Sequence, residues 1–184
     1  MSNDHFKGRF EVEFKYRVAS KHAFLDVLHA LEHQVMFENN TESDVYFDTP
    51  DKHLFKQDKS LCIRELAPSG IKLWIVKGPG PDRCEATNIT DAVSARSMLK
   101  NLGYQAVMTM SKIRSVYFVG EYHLTLDHLQ GIGDFAEFAI MTDDEGALEH
   151  YKTELQSLAA QFGLTDEERE FRSYRQLVTR QNGE

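Results

Sequence analysis

The segment that most constrains this chain is residues 9–18, which read Arg-Phe-Glu-Val-Glu-Phe-Lys-Tyr-Arg-Val. Phe10, Val12, Phe14, Tyr16 and Val18 alternate with Arg9, Glu11, Glu13, Lys15 and Arg17. Strict period two sends successive side chains to opposite faces of a strand. This strand therefore has one apolar face and one wholly charged face.

The same alternation recurs along the chain. A helix is expected over residues 20–33, capped by Ser20 and striped by Phe24, Val27, Leu28 and Leu31. Strands follow at 44–48, 60–66 and 71–77, with a shorter one at 83–87, separated by Pro- and Gly-rich turns. A second helix opens at Thr90, is carried by Ala92, Val93, Ala95, Met98, Leu99 and Leu102, and stops at Gly103. Strands at 107–119, 122–129 and 135–141 precede a helix capped by Asp143 or Asp144 and running to about Phe162, and residues 171–178 add a short element. Short connections between this many strands predict an α+β fold built on an antiparallel sheet. Seven or eight meandering strands tend to close into a barrel, which removes exposed edges. No internal repeat or linker divides the chain, so residues 1–184 read as one domain.

Charge excludes some functions. Asp and Glu outnumber Lys and Arg 29 to 21, a formal net charge of −8, which argues against nucleic-acid and anionic-membrane partners. Cys62 and Cys84 make neither a disulfide framework nor a CxxC zinc signature and read as free thiols of a reducing compartment. The first residues lack the apolar core of a secretory signal, and no apolar run approaches the ~20 residues that span a bilayer. A cytoplasmic protein is expected.

The charged strand faces carry the chemistry. Arg64 shares a face with Ser60 and Cys62, Lys112 lies two residues from Arg114, and Lys77 ends its strand. Asp127 lies opposite Leu124 and Leu126, and Glu137 opposite Phe138 and Ile140. On an open sheet such faces are simply solvated. In a barrel they point inward, where charge must be paired or hold a ligand. Glu11, Glu13, Asp127 and Glu137 are hard oxygen donors suited to Mg²⁺ or Mn²⁺. Lys15, Arg64, Lys77, Lys112 and Arg114 suit a polyanion, Arg by bidentate contact and Lys as a point charge. Acids for metal beside bases for phosphate is the arrangement of phosphoryl chemistry.

Glu11-x-Glu13-x-Lys15 resembles the ExExK signature of the CYTH superfamily, the triphosphate tunnel metalloenzymes. Asp44-Val-Tyr-Phe-Asp48, Leu61-x-Ile63-Arg64, Lys77-Gly-Pro-Gly, Lys112-x-Arg114, Asp127 and Gly133-Asp-Phe-Ala-Glu137 follow in that family's order. Within it, Lys72-Leu-Trp-Ile-Val-Lys-Gly-Pro-Gly80 and Ser173-Tyr-Arg-Gln-Leu177 are similar to the bacterial class IV adenylyl cyclases. The resemblance implies a closed eight-stranded antiparallel barrel with flanking helices, a homodimer, and ATP as substrate with divalent metal. It implies conversion of ATP to 3′,5′-cyclic AMP and pyrophosphate, with Glu11, Glu13, Lys15, Asp127 and Glu137 catalytic. Many tunnel triphosphatases carry Glu-x-Glu on the strand of Glu137, whereas this chain has Ala139. A hydrolase gains from an extra carboxylate to activate water; a cyclase has its nucleophile in the substrate. Ala139 therefore tilts the reading toward cyclisation. Metal-dependent hydrolysis of thiamine, inorganic or nucleoside triphosphate is the alternative, and a non-enzymatic binding module a third reading.

Other candidates are weaker. His29 and His33, four apart on a helix, have zinc-compatible spacing but no third ligand. Gly78-Pro-Gly-Pro81 lacks the Walker pattern and reads as a turn that positions Lys77. Trp74 reads as a packing residue or as part of a nucleotide pocket, with packing favoured, and His123 as facing the interior near Asp127 with its role open.

Overall fold

The computed structural model describes residues 3–183; the remainder of the expected 1–184 domain, residues 1–2 and 184, lies outside the described residues. Eight strands form one antiparallel sheet: β1 (Phe10–Arg17), β2 (Gln34–Asp48), β3 (Ser60–Ala67), β4 (Lys72–Lys77), β5 (Cys84–Asn88), β6 (Gln105–Val119), β7 (Tyr122–Leu129) and β8 (Gly133–Thr142). Their order is β1-β8-β7-β6-β2-β3-β4-β5. The sheet curls until its two edge strands meet over a short stretch, where Glu11 N–H donates to the Asp82 carbonyl at 2.7 Å and Cys84 N–H to the Arg9 carbonyl at 2.9 Å. Farther along β1, the edge is taken instead by the C-terminal segment. Arg17 N–H donates to the Glu168 carbonyl, and Glu170 N–H to the Lys15 carbonyl.

Five helices accompany the sheet: α1 (Lys21–Ala30), α2 (His53–Lys56), α3 (Ala92–Asn101), α4 (Leu148–Gln161) and α5 (Tyr174–Gln181), of which α5 packs on inner strand faces and brings Tyr174 and Arg175 to the interior. None of the described helices is long and apolar enough to cross a membrane. The sequence sets their starts. Ser20 accepts from Ala23 N–H, Asp91 from Ser94 N–H, and Ser173 forms a reciprocal capping box with Gln176. The apolar strand faces pack outward beneath α1, α3 and α4. Val12 and Tyr16 of β1 join Phe138 and Ile140 of β8, Phe24 and Leu28 of α1, and Leu155 and Leu158 of α4 in the largest core. Phe47, Leu61 and Ile63 pack with Ala92, Ala95 and Leu99 of α3. Met110 and Phe135, two residues before Lys112 and Glu137 and so on their inner faces, pack instead with Tyr174 and Leu177 of α5. The charged faces are left to the inside of the curl, the reverse of an open sheet.

The second strand is ten residues longer than the 44–48 expected, because its first half is too polar to show apolar alternation. Val93, Met98 and Leu102 were expected in the buried stripe of α3 but are exposed; its buried face is the small-residue set Ala92 and Ala95 with Leu99. The helix expected from Asp143 or Asp144 begins as a 3₁₀ turn over Glu145–Ala147, capped by Asp144, before α4.

Candidate active site

The inner strand faces enclose a cavity of about 560 Å³. Every sequence-predicted site residue lines it except Asp127. Strand register explains the convergence. Lys15 of β1 pairs with Glu137 of β8, which pairs with Thr125 of β7, while Arg114 of β6 pairs with Asp127 of β7. Residues opposite one another across antiparallel strands share a face, so one row brings charges from neighbouring strands together.

Two guanidinium groups are fixed by wall carboxylates. Arg114 grips Asp127 through two hydrogen bonds of 2.7 and 2.6 Å and reaches Glu137 at 2.6 Å. Arg64 grips Asp44 through two of 2.8 Å. Asp127 is fully buried and also accepts a 2.6 Å hydrogen bond from the Tyr174 hydroxyl. Its carboxylate thus stands behind Arg114 as an anchor and does not open on the cavity, unlike Glu11, Glu13 and Glu137.

Glu42 was not anticipated. It is buried, pairs with Lys112, and lies 3.0 Å from Arg64 and 3.6 Å from Arg114. Burial opposes its ionisation, but Arg114, Arg64 and Lys112 outweigh burial and hold its carboxyl well below the usual range. The sequence signal was the continuation of period two through Glu42, Asp44 and Tyr46. Tyr174 was also unassigned. Its ring lies under Lys15 and Lys112, with their ammonium nitrogens 4.0 and 4.8 Å from the ring centroid. Such cation–π contacts hold the two ammonium groups in place without neutralising them.

The remaining carboxylates differ among themselves. Lys77 donates to Glu11 at 2.9 Å, and His123 stands 3.8 Å from Glu11, not beside Asp127. Burial raises the Glu11 pKa, yet Lys77 and His123 together bring it far below the ordinary value. Glu137, 3.8 Å from Lys15, is likewise lowered, because Arg114, Lys15 and Lys112 overcome burial. Glu13 behaves oppositely. No hydrogen bond or ion pair within 4 Å joins it to another described residue, and burial followed by the Glu137 charge pushes its pKa up to about 7.

A carboxylate without a partner beside two others is suited to a cation. Among the described residues no three His, Cys, Asp or Glu side chains converge as a preformed cage. Mg²⁺ commonly takes one or two carboxylates and completes its shell with substrate phosphates and water. Glu13 with Glu137 and Glu11, beside a phosphate-binding wall, fits that mode.

The turn after β4 has a positional role. Gly78 has φ +86°, and an added Cβ would overlap the Asp58 carbonyl oxygen. Only glycine permits this close approach, which turns the chain directly after Lys77. Cys62 and Cys84 are buried free thiols in the cavity wall; burial, followed by Glu11, pushes the Cys84 pKa up to about 12, so it stays protonated. Trp74 packs outward against the α3 core.

Fold and site together define a class: an antiparallel sheet curled around an interior where fixed cations face carboxylates. The CYTH domain family model matches residues 9–174, and the chain belongs to that family. Adenylate cyclase CyaB of Aeromonas hydrophila is 60% identical over 177 residues, covering 96% of this chain and 93% of that protein. The X-ray structure of a "putative adenylate cyclase" from Vibrio parahaemolyticus superposes with a TM-score of 0.92 at 58% identity, covering 94% of this chain and 99% of that one. A conserved hypothetical protein of Pyrococcus furiosus gives a TM-score of 0.75 at 26% identity over 91% of this chain and 99% of its own.

Proposed function

We infer that this chain is an adenylyl cyclase that converts ATP to 3′,5′-cyclic AMP and pyrophosphate. The observation that carries the reading is the cavity itself. Five lysines and arginines expected to hold a triphosphate line it together with Glu11, Glu13 and Glu137, in a chain 60% identical to an adenylate cyclase along nearly its whole length. Its volume of about 560 Å³ falls in the range of small-molecule sites, roughly 300–1,000 Å³.

In the proposed reaction the ribose 3′-hydroxyl attacks the α-phosphorus. The bond from that phosphorus to the oxygen bridging toward the β-phosphate breaks, pyrophosphate leaves with its electron pair, and the hydroxyl proton passes through solvent to balance the charge of the leaving group. Lys15, Lys77, Lys112, Arg64 and Arg114 bind the triphosphate and meet the charge that grows on the leaving group. Arg64 and Arg114 are held before substrate arrives by two-point contacts to Asp44 and Asp127, so little reorganisation is needed during reaction. Glu13 and Glu137, with Glu11, would hold Mg²⁺ or Mn²⁺; when bound, such an ion supplies Lewis-acid stabilisation and makes the hydroxyl more acidic. The role proposed for Asp127 is to hold Arg114. No protein nucleophile is involved, in keeping with the protonated thiols.

Ala139 is fully buried and sits across the ladder from both Glu13 and His123. A second carboxylate there would adjoin Glu13; its absence favours cyclisation over hydrolysis. A closed tunnel, a single unit over residues 1–184, a homodimer, a cytoplasmic location and the absence of nucleic-acid or membrane partners belong to the same proposal, supported by the family likeness and the net charge of −8.

The test is incubation of purified protein with ATP and Mg²⁺ or Mn²⁺, followed by anion-exchange separation. Equimolar cyclic AMP and pyrophosphate are expected, and Glu13→Ala or Glu137→Ala should abolish them with an unchanged circular dichroism spectrum. ADP with orthophosphate would move the activity to triphosphatase; near-normal cyclic AMP from both variants would remove the metal assignment.

A further inference from the structure

Arg175 stands apart from the five cations expected to hold the triphosphate. Lys15, Arg64, Lys77, Lys112 and Arg114 each lie within 4 Å of at least one carboxylate oxygen. Arg175 also lines the cavity, but no hydrogen bond or ion pair joins it to a described residue. Its guanidinium carbon rests 4.3 Å from the centroid of the Tyr46 ring. Tyr46 lies two residues beyond Asp44 on β2, and Tyr174, adjacent to Arg175, carries Lys15 and Lys112 on its ring. Arg175 therefore stands on the wall that holds Arg64, Lys112 and Lys15, with its planar face on an aromatic ring and its N–H edge uncommitted.

We propose that Arg175 is a substrate-binding residue that contacts the polyphosphate, and the pyrophosphate left after reaction. This rests on the reading of the cavity as a triphosphate site. The physical case is one of competition. A phosphate oxygen approaching the five paired cations must displace or share a carboxylate already within 4 Å of each. At Arg175 it displaces none, so the full charge-assisted bond is gained on binding. Stacking on Tyr46 removes part of the rotamer freedom a long side chain would otherwise lose, and leaves the donor fork free for two-point contact. The position is delivered by the capping box of Ser173 and Gln176, which fixes the first turn of α5. Cyclic AMP carries a single phosphodiester charge and offers no polyphosphate for this contact.

The experiment is calorimetric titration of the full chain with inorganic triphosphate, pyrophosphate and cyclic AMP, for wild type, Arg175→Gln and Arg175→Lys. Removal of the charge is expected to weaken triphosphate and pyrophosphate by about tenfold or more, with cyclic AMP changed less than about twofold and thermal stability unaltered. The Lys variant should recover part of the loss, because it restores charge but not the fork. Equal triphosphate affinity in wild type and Arg175→Gln would overturn the assignment and leave the cavity reading standing. A parallel loss for all three ligands would also overturn it, by pointing to a general disturbance of α5. A wild-type protein that binds no triphosphate would remove the cavity reading itself, and this assignment with it.

Discussion

At the scale of single residues, Glu13 is the carboxylate in the cavity whose charge the protein opposes. Glu11 has Lys77, and Glu137 has Arg114 and Lys15. Glu13 is taken out of water, with the Glu137 and Glu11 charges nearby only partly offset by Lys77 and Lys15, and its pKa is pushed up to about 7 from 4.5. Between those values the folded protein binds more protons than the unfolded chain, so stability falls as pH rises through this window. The penalty is complete above pH 7 and absent below 4.5. Glu13→Gln should accordingly stabilise the metal-free protein at pH 8 by on the order of 2 kcal/mol, and by almost nothing at pH 4.5. Urea midpoints at the two pH values check this, and an equal effect at both would refute it. The sequence announced Glu13 plainly, since an unbroken charged face from Arg9 to Arg17, alternating with apolar residues, is conspicuous. Glu42, Tyr174 and Arg175 were not legible in the same way. Glu42 lies in the polar run Glu-Asn-Asn-Thr-Glu-Ser-Asp, which lacks a contrasting apolar face. Tyr174 and Arg175 matter because a distant segment folds back, and only contacts far apart in sequence reveal it.

At the scale of elements, residues 168–173 decide how the open part of the β1 edge is closed. An exposed edge would present unpaired N–H and C=O groups. Here Arg17 N–H and Lys15 C=O are taken by Glu168 and Glu170, and the Lys15 ammonium group donates to the Arg172 carbonyl at 3.0 Å. Glu170 is the clasp. It is buried, binds Arg17 from β1, and accepts from Arg172 with both carboxylate oxygens. Hydrogen bonds from Arg172, with Arg17 adding to them, lower its pKa to about 2 against the opposition of burial. A lowered carboxyl pKa gives stability that is present above about pH 4.5 and lost as pH falls toward 2. Glu170→Ala should cost about 1–3 kcal/mol at pH 7, measured by chemical denaturation, with the difference narrowing below pH 4.5. A loss that stays constant down to pH 2.5 would mean the clasp acts through packing alone. The strands β6, β7 and β8 and the start of α1 were readable because apolar alternation and a capping serine mark them. The edge role of 168–173 was not, because an irregular strap has no periodicity.

At the scale of the whole molecule, the inside and outside of the curl obey different rules. Apolar faces turn outward under α1, α3 and α4, while α5 covers part of the inner face, and a set of charges that could have stayed in water is turned inward. Without ligand, cations and carboxylates mostly neutralise one another: Lys77 with Glu11, Lys112 with Glu42, Arg114 with Glu137. A triphosphate that takes the cations releases negative charge from Glu11 and Glu137, next to a Glu13 already short of a partner. A divalent ion that takes the carboxylates frees the cations for phosphate. Each ligand thus removes the competitor of the other, and their binding must be positively coupled by the same factor in both directions. The expected coupling is at least about fivefold, the lower end of ordinary linkage. It is measured by titrating inorganic triphosphate with and without Mn²⁺ at matched free concentrations, after allowance for the complex the two form in solution. In Glu13→Gln the metal loses its least-neutralised ligand, so the coupling should shrink while triphosphate affinity without metal is retained or improved. Independent binding in the wild type would mean that the interior pairs are not broken by substrate, and that the charges of the curl serve the fold before they serve catalysis.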